Sequence, residues 1–243
     1  MLGRQHLKLT VITYTALVIP FIQEHFIQAL IGFIGVSIGS LIPDIDSVDA
    51  TVFHSNVKGL GSPGIAFNDV IGPILPIFGY VSKYLIYKPV VHLLNLLTSY
   101  TFHERHRSFT HSIIGVVTLT FMTGLMIYIP FNYIGLSTAL LPVFLIAYCG
   151  GAFLHMLQDS CTKSGIAWNQ PFNKFRVKGH LVTGKSNKRP KTLFYTLTGL
   201  TILISYQTLT GNSAGETAKA SIILTGITWS LFIMISGVKI KSS

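Results

Sequence analysis

Charged side chains are scarce in this chain of 243 residues. They make up 11% of the sequence, and 8 acidic residues stand against 18 lysines and arginines. A soluble domain carries about 25% charged residues, so this chain lacks the polar side chains that a water-facing surface needs. Its 49% hydrophobic content and mean hydropathy of +0.56 exclude disorder and collagen. These features predict a polytopic membrane protein.

Cysteine is also scarce. Cys149 and Cys161 form neither a paired framework nor a CxxC motif, which excludes a disulfide scaffold and disfavours a zinc ribbon. The net charge of +10 does not by itself indicate nucleic acid, because excess lysine and arginine in a membrane protein mark topology and attract anionic lipid. We expect membrane lipids as partners and no specific nucleic acid. The sequence leaves the oligomeric state open.

Long apolar runs predict an all-α, polytopic helical bundle with six membrane spans. A helix crosses a hydrocarbon core of roughly 30 Å in about 20 residues. The six runs cover residues 7–22, 26–42, 112–130, 136–158, 192–210 and 219–237. A further apolar stretch, residues 63–102, is interrupted by prolines and lysines. It is predicted to form an interfacial or re-entrant helical segment.

Basic residues predict the orientation of the chain. Residues 160–191 contain eight lysines and arginines, which places this loop in the cytoplasm under the positive-inside rule. Alternation of the spans then puts both termini and residues 43–111 on the same side. The expected organisation is a membrane-embedded domain over residues 1–175, a basic cytoplasmic loop over 176–191, and a transmembrane hairpin with a tail over 192–243.

Three polar clusters lie at the predicted cytoplasmic ends of spans. They cover residues 41–47, 103–112 and 155–160, and they hold four of the eight acidic residues and four of the nine histidines. His155 and Asp159 are four residues apart on a predicted helix, so both side chains can reach one cation. Each motif alone is also compatible with a structural role at a helix end. Convergence of the three clusters favours a metal site, for which imidazole and carboxylate ligands suit zinc, manganese or iron.

The middle cluster adds features for anion binding. Basic residues and serine at the start of a span commonly anchor and cap it, but His106 and His111 are needed for neither role. Arg107 can hold a phosphate in bidentate fashion beside a metal. The N-terminus of the third span adds partial positive charge at the same place.

Several motifs together closely resemble a known family. His6, IPDID at 42–46, HRSFTHS at 106–112, GAFLHMLQD at 151–159 and TKSG at 162–165 match in order and spacing. The family is that of the YdjM-like metal-dependent hydrolases of the bacterial inner membrane. It is distantly similar to zinc-dependent phospholipase C and P1-type nucleases. The resemblance covers residues 1–175. This chain differs from the family pattern at Ser47, where family members often have a histidine. His54 could take the role of that histidine.

The resemblance implies a metal centre and a reaction. The candidate ligands that it carries over are His6, Asp44, Asp46, His106, His111, His155 and Asp159. One to three divalent metals, zinc with manganese or iron as alternatives, would bind there and lower the pKa of a bound water to about 7. Asp46 or Asp44 would orient or deprotonate that water, and Arg107 would stabilise charge growing on the phosphate.

The predicted function is hydrolysis of a phosphoester in a lipid or lipid-linked substrate at the cytoplasmic border of the inner membrane. An alternative is a non-catalytic membrane adaptor or stress protein in which a structural metal or a salt-bridge cluster ties the span ends together. An ion transporter would need ionisable residues in the middle of the spans. Here they lie at the predicted borders, which disfavours that class.

Overall fold

The computed structural model describes residues 2–97, 109–172, 175–182, 188–211 and 213–241. Within these residues the chain forms nine α-helices and a small two-stranded sheet. The helices are α1 (Gly3–Val18), α2 (Phe26–Gly39), α3 (Pro63–Val70), α4 (Ile74–Val81), α5 (Lys88–Leu97), α6 (Ile113–Tyr133), α7 (Leu141–Ser160), α8 (Lys188–Leu209) and α9 (Ala214–Ile235). The antiparallel strands are β1 (Arg176–Lys178) and β2 (Lys239–Lys241). The all-α membrane bundle expected from the sequence is confirmed.

Four helical segments of the described chain are long and apolar enough to cross a membrane. They are Phe26–Asp46, Ile113–Tyr133, Leu141–Ser160 and Ala214–Ile235. A bent pair, Gly64–Val70 with Ile74–Leu96, adds a fifth if it forms one span, and its two parts meet at 60°. This bend agrees with the interrupted segment expected over residues 63–102, of which 98–102 lie outside the described residues. The expected count of six spans is therefore wrong.

Two of the expected spans fall short for different physical reasons. Helix α1 and the 3-10 turn Ile19–Phe21 that continues it are long enough, but α1 begins with Arg4, Gln5, His6 and Lys8, which make the segment too polar for a span. Helix α8 has 22 residues, but five threonines and a glutamine make it less apolar. All five threonine hydroxyls donate to the carbonyl four residues earlier, so the helix satisfies them internally. Both helices nevertheless pack inside the bundle, where α1 contacts α2, α7, α8 and α9.

The helices run up and down so that several ends meet at one side of the bundle. The ends of α2 and α7 and the beginnings of α1 and α6 bring polar side chains together there. Strand β1 follows α7 and pairs with β2, which follows α9, with Val177 opposite Ile240. We call this side of the bundle the site end.

Glycines let α2 and α7 approach each other closely. A Cβ atom added at Gly39 would collide with the carbonyl oxygen of Tyr148, and one added at Gly151 would collide with the carbonyl oxygen of Val36. Small residues at such positions are the usual means of close helix packing in membranes. The short distance between the two helices brings the end of α2 within reach of the side chains on α7.

Candidate metal centre

Five of the seven candidate ligands lie together at the site end. They form two overlapping groups, His6 with His155 and Asp159, and Asp44 with His111 and His155, in which the ligand atoms lie within 4.8 Å of one another. The side chains of His6, His111, His155 and Asp159 are at most 1% exposed, whereas that of Asp44 is 15% exposed. The centre is therefore buried, with its most accessible side at Asp44.

Two short 3-10 turns deliver Asp44 and His111. The turn Ile42–Asp46 follows α2 and has Pro43 in its first turn, where the missing N–H group costs no hydrogen bond. The turn Phe109–His111 precedes α6 and is tied to it by Ser112. Ser112 Oγ accepts a hydrogen bond from the Gly115 amide at 3.0 Å and donates to the Phe109 carbonyl at 2.8 Å. This cap holds His111 at the start of the helix.

A backbone carbonyl orients His155. Nδ1 of His155 lies 2.7 Å from the carbonyl oxygen of Ser40, so Nδ1 carries the hydrogen and donates it. The other nitrogen, Nε2, is left with its lone pair. Within the described residues this buried Nε2 has no hydrogen-bond partner. Burying its lone pair costs free energy unless a cation or a water molecule binds to it. Metal-binding histidines commonly show this arrangement.

A threonine hydroxyl orients His111 in the same way. Thr110 Oγ1 donates to Asp46 Oδ2 at 3.2 Å and lies 3.1 Å from His111 Nδ1. A hydroxyl has one hydrogen, and since Thr110 gives it to the carboxylate, it accepts from Nδ1–H of His111. His111 Nε2 therefore carries a lone pair. It lies 3.5 Å from Asp44 Oδ1 and 3.6 Å from Asp159 Oδ2.

Asp159 faces three histidines at once. Its Oδ1 lies 3.4 Å from His6 Nε2, and its Oδ2 lies 3.6 Å from His111 Nε2 and 3.9 Å from His155 Nε2. The last distance joins residues four apart on α7, the spacing from which the sequence predicted a shared cation. The His6 and His155 rings stack with their centroids 3.8 Å apart.

The separations between ligand atoms fit the edges of a metal coordination shell. Five nitrogen–oxygen distances, between His6, His111 or His155 and Asp44 or Asp159, run from 3.4 to 3.9 Å. An N–H···O hydrogen bond spans about 2.7 to 3.2 Å. Ligand distances of about 2.0 to 2.2 Å in a zinc tetrahedron give edges of about 3.3 to 3.6 Å. Four of the five distances fall in this range, and the distance between His155 Nε2 and Asp159 Oδ2, 3.9 Å, exceeds it, so most of these atom pairs are spaced as ligands around a small cation.

The two groups share His155, and this limits what they can bind. His155 uses Nδ1 on the Ser40 carbonyl, so Nε2 is its one nitrogen left for a metal. A ring nitrogen has a single lone pair and binds one ion. His155 can therefore serve only one of the two groups at a time when an ion is bound.

The remaining residues predicted from the sequence have other positions. Asp46 lies outside both groups and contacts the centre through Thr110. His106 and Arg107 fall outside the described residues. His54, considered as a substitute ligand, is exposed and borders a surface cavity together with Arg4 and Asp49.

Sequence reasoning missed the two groups that orient the histidines. The Ser40 carbonyl gives no sequence signal, because every residue has a backbone carbonyl. Thr110 lies inside the motif that precedes α6, and the sequence indicated only a helix cap there. The sequence did not predict that its hydroxyl lies between Asp46 and His111 and orients the histidine. Gln158 was missed as well, and its Nε2 donates to Thr10 Oγ1 at 3.0 Å, which ties α7 to α1 beside His6.

The fold and this centre define a helical membrane protein with a buried candidate site for a divalent metal. The chain belongs to the YdjM inner membrane protein family, whose model matches residues 1–240. The match extends beyond residues 1–175, where the individual motifs lie, and includes α8 and α9. Comparison with curated proteins and with solved structures finds no match. The chain is therefore an inner membrane protein.

Proposed function

We propose that this chain is a metal-dependent hydrolase that cleaves a phosphoester of a lipid or lipid-linked substrate at the cytoplasmic border of the inner membrane. The observation that carries the proposal is the buried centre of three histidines and two aspartates. Two of its histidines have their Nε2 lone pairs oriented by second partners. Such outer partners are characteristic of metal-binding histidines. The excess of lysine and arginine at the site end supports the cytoplasmic orientation.

The donor set supports zinc, with manganese or iron as alternatives. His6, Asp44, His111, His155 and Asp159 are the residues that would hold the ion. When bound, it would lower the pKa of a bound water and polarise a phosphoryl oxygen.

The chain's own residues would supply the general base, the positioning group and the charge stabilisation. Asp44 lies on the accessible side of the centre, so its carboxylate is the group best placed to take the proton from an attacking water. Asp46 acts one step further back, since it holds the Thr110 hydroxyl that orients His111. Arg107 keeps the role that its motif predicts, neutralising charge that grows on the phosphate.

An apolar groove that runs toward the site end supports a lipid substrate. The groove has a volume of about 670 Å³ and lies between α1, α2 and α7, from Phe21 at the far end of the bundle to Val36 and Leu154 near the site end. Leu154 directly precedes His155, and Val36 lies one helical turn before Ser40. An acyl or polyprenyl chain in this groove would hold its head group beside the metal centre.

The near-complete burial of the centre favours a second candidate function. Structural metal sites are closed, whereas catalytic sites keep an open position. A non-catalytic adaptor or stress protein, in which one ion ties α1, α2, α6 and α7 together, would have the same five side chains. The two candidates differ in turnover: the structural protein loses thermal stability on metal removal and has no activity to lose.

Replacing Asp44 tests the proposed hydrolase. The assay measures release of phosphate or head group from phospholipid and polyprenyl-phosphate micelles at saturating zinc. We expect the rate of the Asp44→Asn protein to fall about 10²- to 10⁴-fold. Asp49→Asn is the matched control, because Asp49 is an exposed aspartate on the same loop and lies outside both groups. Full activity in a folded Asp44→Asn protein would refute this mechanism. Wild-type protein that binds zinc and turns over none of these substrates would favour the structural alternative.

A further inference from the structure

A polar cavity lies on the other side of α1 from the metal centre. It has a volume of about 390 Å³ and lies between the beginnings of α1 and α8. Its basic lining residues are Arg4, Lys8 and Lys191, and its apolar floor includes Leu9, Phe194 and Tyr195. We call it the basic pocket. His6 is rotated by about 160° from Arg4 around the helix axis, so the basic pocket and the metal centre occupy opposite faces of α1.

Two of the basic groups in the pocket lie close to neighbouring residues. The guanidinium of Arg4 lies against the backbone of Gly59, with Nη1 2.8 Å from the position of an added Cβ, and Gly59 has a positive φ of 85°. The ammonium of Lys8 lies 6.0 Å from the centroid of the Phe194 ring, within range of a cation–π interaction. The pocket therefore brings together cations from two helices, α1 and α8.

The charge of the pocket calls for an anion. Within the described part of the chain no carboxylate lines it, while three basic side chains do. Three positive charges close together repel each other unless an anion lies between them. Phosphate is a good match, because a guanidinium binds it through two donors and ammonium groups bind it as point charges.

The surface next to the pocket favours a lipid as the source of that phosphate. Ile202 and Tyr206 come seven and eleven residues after Tyr195 and lie on the same face of α8. Their side chains are 65% and 66% exposed. This stripe of side chains leads from the pocket along the outer face of α8. A head-group phosphate in the pocket would thus leave its acyl chains along the stripe. A free phosphate would make no use of it.

We propose that the basic pocket binds the head-group phosphate of an anionic phospholipid, which bridges α1 and α8 at the site end. The site does not depend on the proposed hydrolase activity, since none of its lining residues belongs to the metal centre. Basic pockets between helices at the cytoplasmic side are a general means of holding anionic lipids.

The test compares two double variants that lose the same charge. Lys8→Gln/Lys191→Gln removes two cations from the basic pocket, and Lys239→Gln/Lys241→Gln removes two from the exposed strand β2 outside it. Binding of phosphatidylglycerol and phosphatidylcholine to detergent-purified protein is measured by native mass spectrometry. We expect wild-type protein to retain one phosphatidylglycerol in preference to phosphatidylcholine. The pocket variant should bind it about 10- to 30-fold more weakly, and the strand variant should stay within about twofold of wild type.

Folding is controlled by variants that perturb less. Lys191 is exposed, so Lys191→Gln alone should fold normally and lose about fivefold in affinity, while Lys191→Arg should bind as wild type. Equal losses in the pocket and strand variants would overturn the proposal, because they would show a diffuse attraction to the protein's net charge. Equal binding of both lipids, or displacement of the lipid by inorganic phosphate at matched concentration, would overturn it as well.

Discussion

Replacing Thr110 by valine tests how the metal centre is organised. The substitution keeps the shape of the side chain and removes the hydroxyl that lies 3.2 Å from Asp46 Oδ2 and 3.1 Å from His111 Nδ1. Thr110 is 0% exposed, so water cannot easily take the place of the hydroxyl. His111 therefore loses the acceptor that keeps its Nε2 lone pair directed at Asp44 and Asp159.

The size of the effect follows from this geometry. Losing a hydrogen bond to a buried polar group costs about 1–3 kcal/mol, which corresponds to about 5- to 160-fold in an equilibrium constant. Loss of an outer partner of a metal-binding histidine lowers metal affinity by a similar factor. We therefore expect the Kd for zinc to rise about 10- to 100-fold in Thr110→Val, measured by competition with a chromogenic chelator in detergent.

Two controls separate this effect from general destabilisation. Thr110→Ser keeps the hydroxyl and should bind zinc as wild type does. Thr120→Val removes a hydroxyl that donates to the Val116 carbonyl within α6, at 2.8 Å, and should leave zinc affinity unchanged. Wild-type affinity in Thr110→Val, or equal losses in Thr110→Ser and Thr110→Val, would refute the orienting role of the hydroxyl.

Two further predictions concern packing and thiol chemistry. Gly151→Ala should destabilise the protein by about 1–3 kcal/mol in thermal unfolding, because the new Cβ meets the Val36 carbonyl, while the neighbouring Gly150→Ala, whose Cβ meets nothing within 4 Å, should not. Equal stability of the two variants would contradict the close approach of α2 and α7. Burial raises the pKa of the Cys161 thiol to about 11, so a Cys149→Ser protein should resist maleimide at pH 7.5 until it is denatured. Rapid labelling of the native protein would show that Cys161 is accessible.

The general architecture and most of the centre were predictable from the sequence. Long apolar runs set the helical bundle, and the position of polar clusters at the ends of those runs predicted that they meet. His155 and Asp159 follow from helical spacing alone, and the structure holds their Nε2 and Oδ2 atoms 3.9 Å apart. His6, Asp44 and His111 depend on how separate helices pack, and the motif resemblance supplied that information.

The remaining features depend on properties that apolar runs do not encode. The number of spans was overestimated because α1 begins with polar and charged residues and α8 is rich in threonine, although both are packed in the bundle. The Ser40 carbonyl reaches His155 because glycines bring α2 close to α7, a consequence of backbone geometry. Asp46 looked equivalent to Asp44 in the sequence. Because it lies two residues further along a tight turn, its carboxylate contacts Thr110 instead of the centre.

Metal stoichiometry tests the central claim most directly. Plasma mass spectrometry would be applied to detergent-purified wild type, to His155→Ala/Asp159→Ala, and to His54→Ala/Asp49→Ala, which removes a histidine and an aspartate outside both groups. After mild chelation, reloading and buffer exchange, we predict one ion of zinc, manganese or iron per chain in the wild type and in the outside variant, and none in the centre variant. A wild-type protein that stays metal-free after reloading, or a centre variant that retains its ion, would contradict the assignment of these residues as a metal centre.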